Sequence, residues 1–261
     1  MEYKQYIEKR DFKVLGLVGV CATTRHEFVE KVFSLPNKPT SATIMLVGIP
    51  AVISAKENQH IAQIYNTATI AAIDGMPIVN IGRKKGFNCE RCAAPDIMGL
   101  IFKESITHKK THFFYGGKNE EVLEKLRTNL EKNYPGINIV GMYSPPFRPL
   151  TAEEDNQICE KINKLHPDFL WVGIGAPKQE IWMKEHQSKI KEVTMLGVGA
   201  GFDFYAETLK KAPRWMEEAS LEWLYRLFKE PKRLWKRYIL GALKYAYYSF
   251  TLLIKNIALG K

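Results

Sequence analysis

Short apolar runs alternate with longer amphipathic segments over about the first two hundred residues, and this alternation constrains the fold more than any other feature. The apolar runs predict strands over residues 13–20, 42–49, 69–73, 111–115, 138–142, 168–174 and 193–198. Strands that alternate with helices require right-handed crossovers and a mostly parallel sheet. The pattern therefore predicts an α/β, Rossmann-like core.

The segments between these runs carry helix and loop signals of their own. Amphipathic patterns predict helices over 119–132 and 151–165, and the second opens with Thr151 and Glu154 at the spacing of a capping box. The proline-rich patch at 144–149 predicts a surface loop. Pro177 stands where the first residue of a further helix is expected.

The basic charge is concentrated at the carboxyl end of the chain. Residues 209–261 hold 12 Lys and Arg against 4 Asp and Glu, whereas residues 1–208 hold 26 against 24. This tail also holds 10 of the 30 aromatic residues, among them Trp215, Trp223 and Trp235. We therefore predict a core over 1–208 and a helical appendage over 209–261 that meets an anionic and apolar surface. A phospholipid membrane fits this description best.

The apolar end of the appendage is too short to cross a bilayer. The run at 245–254 is about half of the roughly 20 residues that a spanning helix needs, and Lys244 and Lys255 flank it. We expect this segment to lie on a membrane rather than to span one.

The cysteines indicate a reducing compartment. Cys21, Cys89, Cys92 and Cys159 are too few and too scattered for a disulfide framework, and no signal-peptide pattern precedes them. The C-x-x-C pattern at 89–92 has no second pair and no paired histidines to complete a zinc site. We therefore expect a cytoplasmic protein in which this spacing arises by chance.

The candidate site residues follow the predicted strands, because ligands of such sheets bind at the carboxyl ends of the strands. Asp74-Gly75 comes directly after the run at 69–73. The dipeptide is typical of a turn, but a carboxylate at this place can also accept a proton from a bound hydroxyl. Both interpretations stay open on these two residues alone.

Two further strand ends carry ligand signals. Gly116-Gly117 follows the run at 111–115 and lets backbone N–H groups approach a nucleotide, although a plain strand-to-helix turn explains it equally well. Lys178 and Gln179 follow the run at 168–174 and would project at a helix start beside the same crevice, or be ordinary polar residues of a first turn. Residues 199–203 predict a turn or a pocket wall.

In this order, the motifs resemble the WecG/TagA/CpsF family of bacterial glycosyltransferases over about residues 42–238. The similar segments are 74–75 (D-G), 113–117 (F-F-x-G-G), 175–182 (G-x-P-K-Q-E-x-W), 211–215 (R-A-P-x-W, with Lys first), 220–227 (G-L-E-W-L-Y-R-L, with Ser first), 230–233 (E-P-x-R) and 237–238 (R-Y). The chain differs from the usual family pattern at Gly48-Ile49-Pro50 and at Pro77, which implies that its donor pocket has a different shape.

The resemblance implies a GT-E-like fold and an inverting sugar transfer that uses no metal and no other cofactor. The donor would be a UDP-sugar, N-acetylmannosamine-like or uronic acid-like, and the acceptor a polyprenyl-diphosphate-linked saccharide of cell-surface polysaccharide synthesis. It further implies a protein that is peripheral on the inner face of the cytoplasmic membrane, with a homo-oligomer among the expected assemblies.

The resemblance also implies roles for individual residues. Asp74 would be the catalytic base, and three arginines of the appendage would complete the active site: Arg226, Arg233 and Arg237. The residues expected to bind substrate are Gly75, Asp96, Gly116, Gly117, Lys178 and Gln179. Asp96 belongs to the segment Ala94-Pro95-Asp96, where family members usually have Gly-x-Asp.

The charged residues of the chain agree with a reaction in which Lys and Arg side chains, rather than a metal ion, neutralise the diphosphate. No D-x-D pair is present to hold a divalent ion against a diphosphate, and the six histidines lack close metal-ligand spacing. Arg233 and Arg237 are four residues apart and share a helix face, whereas Pro231 should break the helix between them and Arg226. A merely solvated basic face is the alternative interpretation.

Three other classes of protein stay open on composition. A nucleic-acid-binding protein would account for the net charge of +10, but not for the near-neutral core, so we expect no nucleic-acid partner. A nicotinamide-dependent oxidoreductase would account for the sheet, but the glycine fingerprint after the first strand is missing. A membrane adaptor without catalysis would account for the tail.

Overall fold

A computed structural model describes residues 7–35, 41–210, 212–213, 216, 221–235 and 239–258. Its centre is a six-stranded sheet in which every neighbouring pair is parallel. The strands lie in the order β4-β3-β8-β7-β5-β6 and span Ala42–Val47 (β3), Ile70–Ile73 (β4), Thr111–Gly116 (β5), Asn138–Tyr143 (β6), Phe169–Gly173 (β7) and Thr194–Gly197 (β8). Six of the seven predicted strands are confirmed, as is the α/β class.

The strand predicted over 13–20 is wrong as a single strand. It is a hairpin of β1 (Phe12–Val14) and β2 (Val18–Val20), which pair antiparallel with Phe12 opposite Val20. The chain reverses because Leu15 and Gly16 adopt left-handed φ angles of 50° and 67°, which a continuous strand excludes. The hairpin lies beside the edge of the main sheet, where Cys21 forms a parallel bridge with Ala72.

Helices cover both faces of the sheet. They span Arg25–Phe33 (α1), Ile49–Glu57 (α2), Gln59–Thr67 (α3), Met76–Lys84 (α4), Ala94–Thr107 (α5), Glu120–Asn133 (α6), Ala152–Leu165 (α7), Lys178–His186 (α8), Gly201–Tyr205 (α9), Glu222–Lys229 (α10), Pro231–Trp235 (α11) and Gly241–Ala258 (α12). Successive residues of one strand enter different apolar layers, as Phe113 and Phe114 do. The sheet is therefore the middle of three layers.

Several local predictions are confirmed. Thr151 and Glu154 form the capping box at the start of α7. The loop at 144–149 lies on the surface with Phe147 fully accessible, and Arg148 donates two hydrogen bonds of 2.7 Å to Glu154. Pro231 interrupts the appendage, because α10 ends at Lys229 and α11 begins at the proline. Pro177 lies one residue before α8 rather than in it.

The last helix of the appendage packs on the core. α12 lies against α2, where Lys244 forms an ion pair with Glu57 and Tyr245 contacts the apolar layer. The other face of α12 exposes large apolar side chains: Leu243, Tyr247, Phe250, Leu253 and Ile254. Among the described helices, none combines the length and the apolar character that crossing a membrane requires. The boundary at residue 208 between core and appendage stays a prediction.

Candidate functional site

A large cleft lies at the carboxyl ends of the parallel strands. Its volume is about 1630 Å³, and the segments that follow β3, β4, β5, β7 and β8 contribute to its walls. Parallel strands end at the same edge of a sheet, so their loops converge on one ligand site. The cleft brings together Asp74, Gly75, Gly117, Lys178, Gln179 and Arg226 of the residues predicted from the sequence.

Asp74 extends β4 by one residue and presents its side chain to the cleft. Its backbone N–H donates to the carbonyl of Val47 at 2.9 Å, which continues the pairing of β4 with β3. Gly48, the residue that follows β3, passes so close that a Cβ there would lie 2.8 Å from the Asp74 carbonyl oxygen. The hydrogen bond to Val47 and the close approach of Gly48 together fix the backbone of Asp74.

Arg91 is paired with Asp74, and the sequence analysis gave it no role. Its Nε lies 3.3 Å from Oδ1 of the carboxylate, and both side chains are partly buried. Arg25 donates from Nε to the backbone carbonyl of Arg91 at 3.0 Å, which anchors the loop that carries the guanidinium. The only sequence signal was the C-x-x-C pattern around it, which drew attention to the cysteines instead.

Asp96 lies outside the residues that line the cleft. Its carboxylate is 3.7 Å from Nη1 of Arg25, in the first turn of α5. Because Arg25 also holds the Arg91 carbonyl, Asp96 contacts the residue that anchors the loop rather than the cleft itself. A direct role of Asp96 in substrate binding stays a prediction that this position does not favour.

Gly116 and Gly117 lie where β5 ends close to β7; Gly117 lines the cleft, whereas Gly116 is buried and lies outside the lining residues. Their φ angles are 137° and 85°, in the region that favours glycine. A Cβ on Gly116 would lie 2.6 Å from the carbonyl of Gly173, and Gly117 donates its N–H to the same carbonyl at 3.2 Å. The next residue, Lys118, forms an ion pair of 3.1 Å with Asp203 of α9.

Lys178 and Gln179 differ in how they face the cleft. Lys178 is exposed at the start of α8 and presents a cation to the opening. Gln179 is buried, its Oε1 accepts from the N–H of Gly199 at 2.9 Å, and its Nε2 donates to Glu180 at 3.0 Å. The amide therefore joins α8 to the turn after β8 and makes that turn a wall of the cleft.

The appendage supplies one side of the cleft through Trp223, Arg226 and Tyr245. The Arg226 guanidinium carbon is 5.9 Å from the centre of the Phe204 ring, and its Nε is buried without a hydrogen-bond partner among the described residues. A buried donor of this kind is costly unless a ligand accepts from it. The side chain of Arg233 and the whole of Arg237 lie outside the described residues.

The C-x-x-C cysteines occupy separate positions in the core. The Cys89 thiol donates to the carbonyl of Val79, and the Cys92 thiol faces the carbonyl of Glu90. Burial raises the pKa of Cys92 to about 12, so the group is a thiol at neutral pH. The geometry gives these two cysteines a packing role.

Comparison with known proteins connects this cleft to a chemistry. A family model described as "Glycosyl transferase WecG/TagA/CpsF family" matches residues 12–257. Similar proteins include those named N-acetylglucosaminyldiphosphoundecaprenol N-acetyl-beta-D-mannosaminyltransferase in Staphylococcus aureus strains MW2 and NCTC 8325 / PS 47. Each is 27% identical over 215 residues, which cover 81% of this chain and 82% of the relative.

Proposed function

Because the chain belongs to the WecG/TagA/CpsF family of glycosyl transferases, we propose that it moves a sugar from a UDP-sugar to a polyprenyl-diphosphate-linked saccharide. The donor sugar is N-acetylmannosamine-like or uronic acid-like, and the names of the relatives make N-acetylmannosamine the first donor to test. The acceptor named in those relatives, N-acetylglucosaminyldiphosphoundecaprenol, is the first acceptor to test. Both substrates carry a diphosphate group, and the basic side chains that line the cleft can neutralise its negative charge.

Asp74 is the base in this proposal. The acceptor hydroxyl attacks the anomeric carbon from the side opposite UDP, the new C–O bond forms, and the bond to the UDP oxygen breaks with its electron pair leaving on UDP. The hydroxyl proton passes to the Asp74 carboxylate. Arg91 contacts Oδ1 of the carboxylate through its Nε and so orients the base.

Cations from three parts of the chain neutralise the charge that develops on the leaving UDP. Lys178 lies at the start of α8, Lys118 follows Gly117, and Arg226 reaches in from the appendage. Arginine is suited to this task because its planar fork donates two hydrogen bonds to phosphate oxygens. Fixed donors aimed at developing charge lower the barrier without reorganising during the reaction.

The observation that carries the proposal is the position of Arg226. It lies in the same cleft as Asp74, and its buried Nε lacks an acceptor among the residues that the structure describes. A diphosphate oxygen would supply that acceptor. The appendage then belongs to the active site and is more than a membrane anchor.

The proposal places the protein on the inner face of the cytoplasmic membrane. The exposed apolar face of α12 would rest in the lipid interface, and the basic residues of the tail would meet anionic headgroups. This position brings the cleft to a substrate that cannot leave the bilayer.

Transfer assays with two variants test this function. With UDP-N-acetylmannosamine and a lipid-linked N-acetylglucosamine acceptor, Asp74→Asn should lower kcat by about 10²- to 10⁴-fold, because the amide cannot take the proton. Arg226→Ala should lower kcat by about 10²-fold. Arg127→Ala is the control, since that side chain pairs with Glu131 on a surface helix. Unchanged turnover in Asp74→Asn would refute the assignment of the base.

A panel of UDP-sugars separates the reaction class from the donor identity. Transfer from another UDP-sugar, with the same losses in the two variants, would retain the mechanism and correct only the sugar. Absence of transfer from every donor, with the protein bound to lipid vesicles, would support the adaptor interpretation.

A further inference from the structure

Three side chains of types that can bind a metal ion meet at the wall of the cleft, and none of them is among the residues proposed for sugar transfer. Asp155 and Cys159 lie one turn apart on α7, and His186 is the last residue of α8. A carboxylate oxygen, the thiol sulfur and a ring nitrogen of these residues all lie within 4.8 Å of one another. The sequence did not suggest this group, because Cys159 and His186 are 27 positions apart in the chain.

The His186 ring is oriented as in metal sites. Its Nδ1 is 2.7 Å from the Trp182 carbonyl, which can only accept, so Nδ1 carries a proton and donates. The ring is buried and stacks on Trp182 with centroids 4.1 Å apart, which fixes its plane. Histidines that bind metals donate one nitrogen to a carbonyl in this way and coordinate through the other. That other nitrogen, Nε2, faces Asp155 at 2.7 Å.

The two oxygens of Asp155 have separate partners. Oδ2 accepts from the Lys189 ammonium at 2.7 Å, whereas Oδ1 faces His186. A cation bound through Oδ1 therefore does not have to displace Lys189. Asp155 and His186 line the cleft, and Cys159 lies behind them, buried.

We propose that Asp155 Oδ1, Cys159 Sγ and His186 Nε2 bind one Zn²⁺ ion, with a water from the cleft as the fourth ligand. Thiolate, imidazole and carboxylate together are the ligand set of tetrahedral zinc, whereas Mg²⁺ and Ca²⁺ take oxygen ligands alone. Three protein ligands with an open side toward a cleft leave one position of the tetrahedron for solvent. The ion ties α7 to α8, whose first turn holds Lys178 and Gln179.

Zinc binds the thiolate of cysteine, so binding releases the thiol proton of Cys159. The site stands on this geometry alone and does not depend on the proposed sugar transfer.

Cobalt(II) substitution tests the site in the full-length protein. Co²⁺ added to protein stripped with a chelator should bind at one equivalent and give the near-ultraviolet charge-transfer band of a thiolate–cobalt bond, which Zn²⁺ then abolishes. Cys159→Ser should lose the band, and His186→Gln should weaken binding by about 10-fold or more. Cys89→Ser is the matched control, because it also removes a buried thiol but lies outside the cluster, and it should keep the band.

Two results would overturn the inference. One is a wild-type protein that gives no thiolate–cobalt band and retains no zinc after desalting. The other is a band that persists in Cys159→Ser and disappears in Cys89→Ser, which would place the metal at the C-x-x-C pattern. Far-ultraviolet circular dichroism of each variant separates loss of a ligand from loss of the fold, and Asp155→Asn provides a further ligand variant with nearly unchanged volume.

Discussion

The Nε atom of Arg91 lies 3.3 Å from Oδ1 of Asp74, so the proposed base faces a fixed cation. Arg25 holds the backbone of Arg91 through its carbonyl, and Asp96 holds Arg25 in turn. The position of the carboxylate in the cleft is therefore linked to a chain of charged contacts that reaches the first turn of α5.

Replacing Arg91 should impair transfer without unfolding the protein. Arg91→Ala should lower kcat by about 10²-fold, because the carboxylate loses the contact that orients it. Arg91→Lys keeps the charge but not the fork, so its kcat should lie between those of the wild type and Arg91→Ala. Steady-state kinetics measure this order. If Arg91→Lys is as slow as Arg91→Ala and has wild-type thermal stability, the positive charge at this position does not by itself assist Asp74.

Gly116→Ala should destabilise the fold more than alanine at another glycine with positive φ. The new Cβ would lie 2.6 Å from the Gly173 carbonyl, whereas Gly86 has a φ of 88° and open space around its Cβ position. Gly86→Ala should cost about 1 kcal/mol from its backbone conformation alone, and Gly116→Ala about 3 kcal/mol or more. Urea unfolding of the two variants measures the difference. Equal losses in the free energy of unfolding would show that β5 and β7 move apart easily at Gly116 and Gly173.

His112 should make the protein less stable in mild acid. Its ring is fully buried and its Nδ1 accepts from Trp171 at 3.0 Å, and burial lowers its pKa from 6.5 to about 4. The unfolded chain therefore binds the proton first as pH falls. Stability contributed by the neutral ring is fully present above pH 6.5 and is lost as pH falls toward about 4, by about 3 kcal/mol in total.

Urea unfolding of the wild type and of His112→Gln over this pH range checks the effect. The variant has no imidazole to protonate, so its free energy of unfolding should change less with pH than that of the wild type. Parallel curves for the two proteins would assign the acid sensitivity to other groups.

The exposed face of α12 should decide binding to lipid. Phe250→Ser should weaken binding to anionic phospholipid vesicles by about 10-fold or more, because one buried aromatic side chain contributes about 2 kcal/mol. Leu100→Ser, on an exposed face of α5, is the control and should bind like the wild type. Vesicle sedimentation measures both. Unchanged lipid binding of Phe250→Ser, with loss of a dimer in analytical ultracentrifugation, would assign the face to a second copy instead.

The parallel sheet was predictable because its strands are buried on both faces and read as continuous apolar runs. The hairpin at Phe12–Val20 was not, since the left-handed turn at Leu15 and Gly16 lies within a run of the same apolar character. The capping box at Thr151 was predictable because both of its partners are local in sequence.

The site was predictable where its residues follow a strand end, and at Arg226, which the family resemblance supplied. Asp74, Gly117 and Lys178 lie in the cleft for that reason. Arg91 enters it from a loop between helices, and its contact with Asp74 depends on packing across 17 residues of chain. The meeting of Asp155 and His186 likewise depends on how α7 and α8 lie side by side, which periodicity does not determine.

The contact of α12 with α2 has a kinetic consequence. In the proposed membrane-bound state, in which α12 rests on the bilayer, the cleft meets its acceptor only by lateral diffusion in the plane of the lipid. Turnover should then depend on the number of acceptor molecules per unit area of membrane rather than on their concentration in the whole volume. Diluting the acceptor with inert phospholipid, at a constant total amount of acceptor, would slow the bound protein.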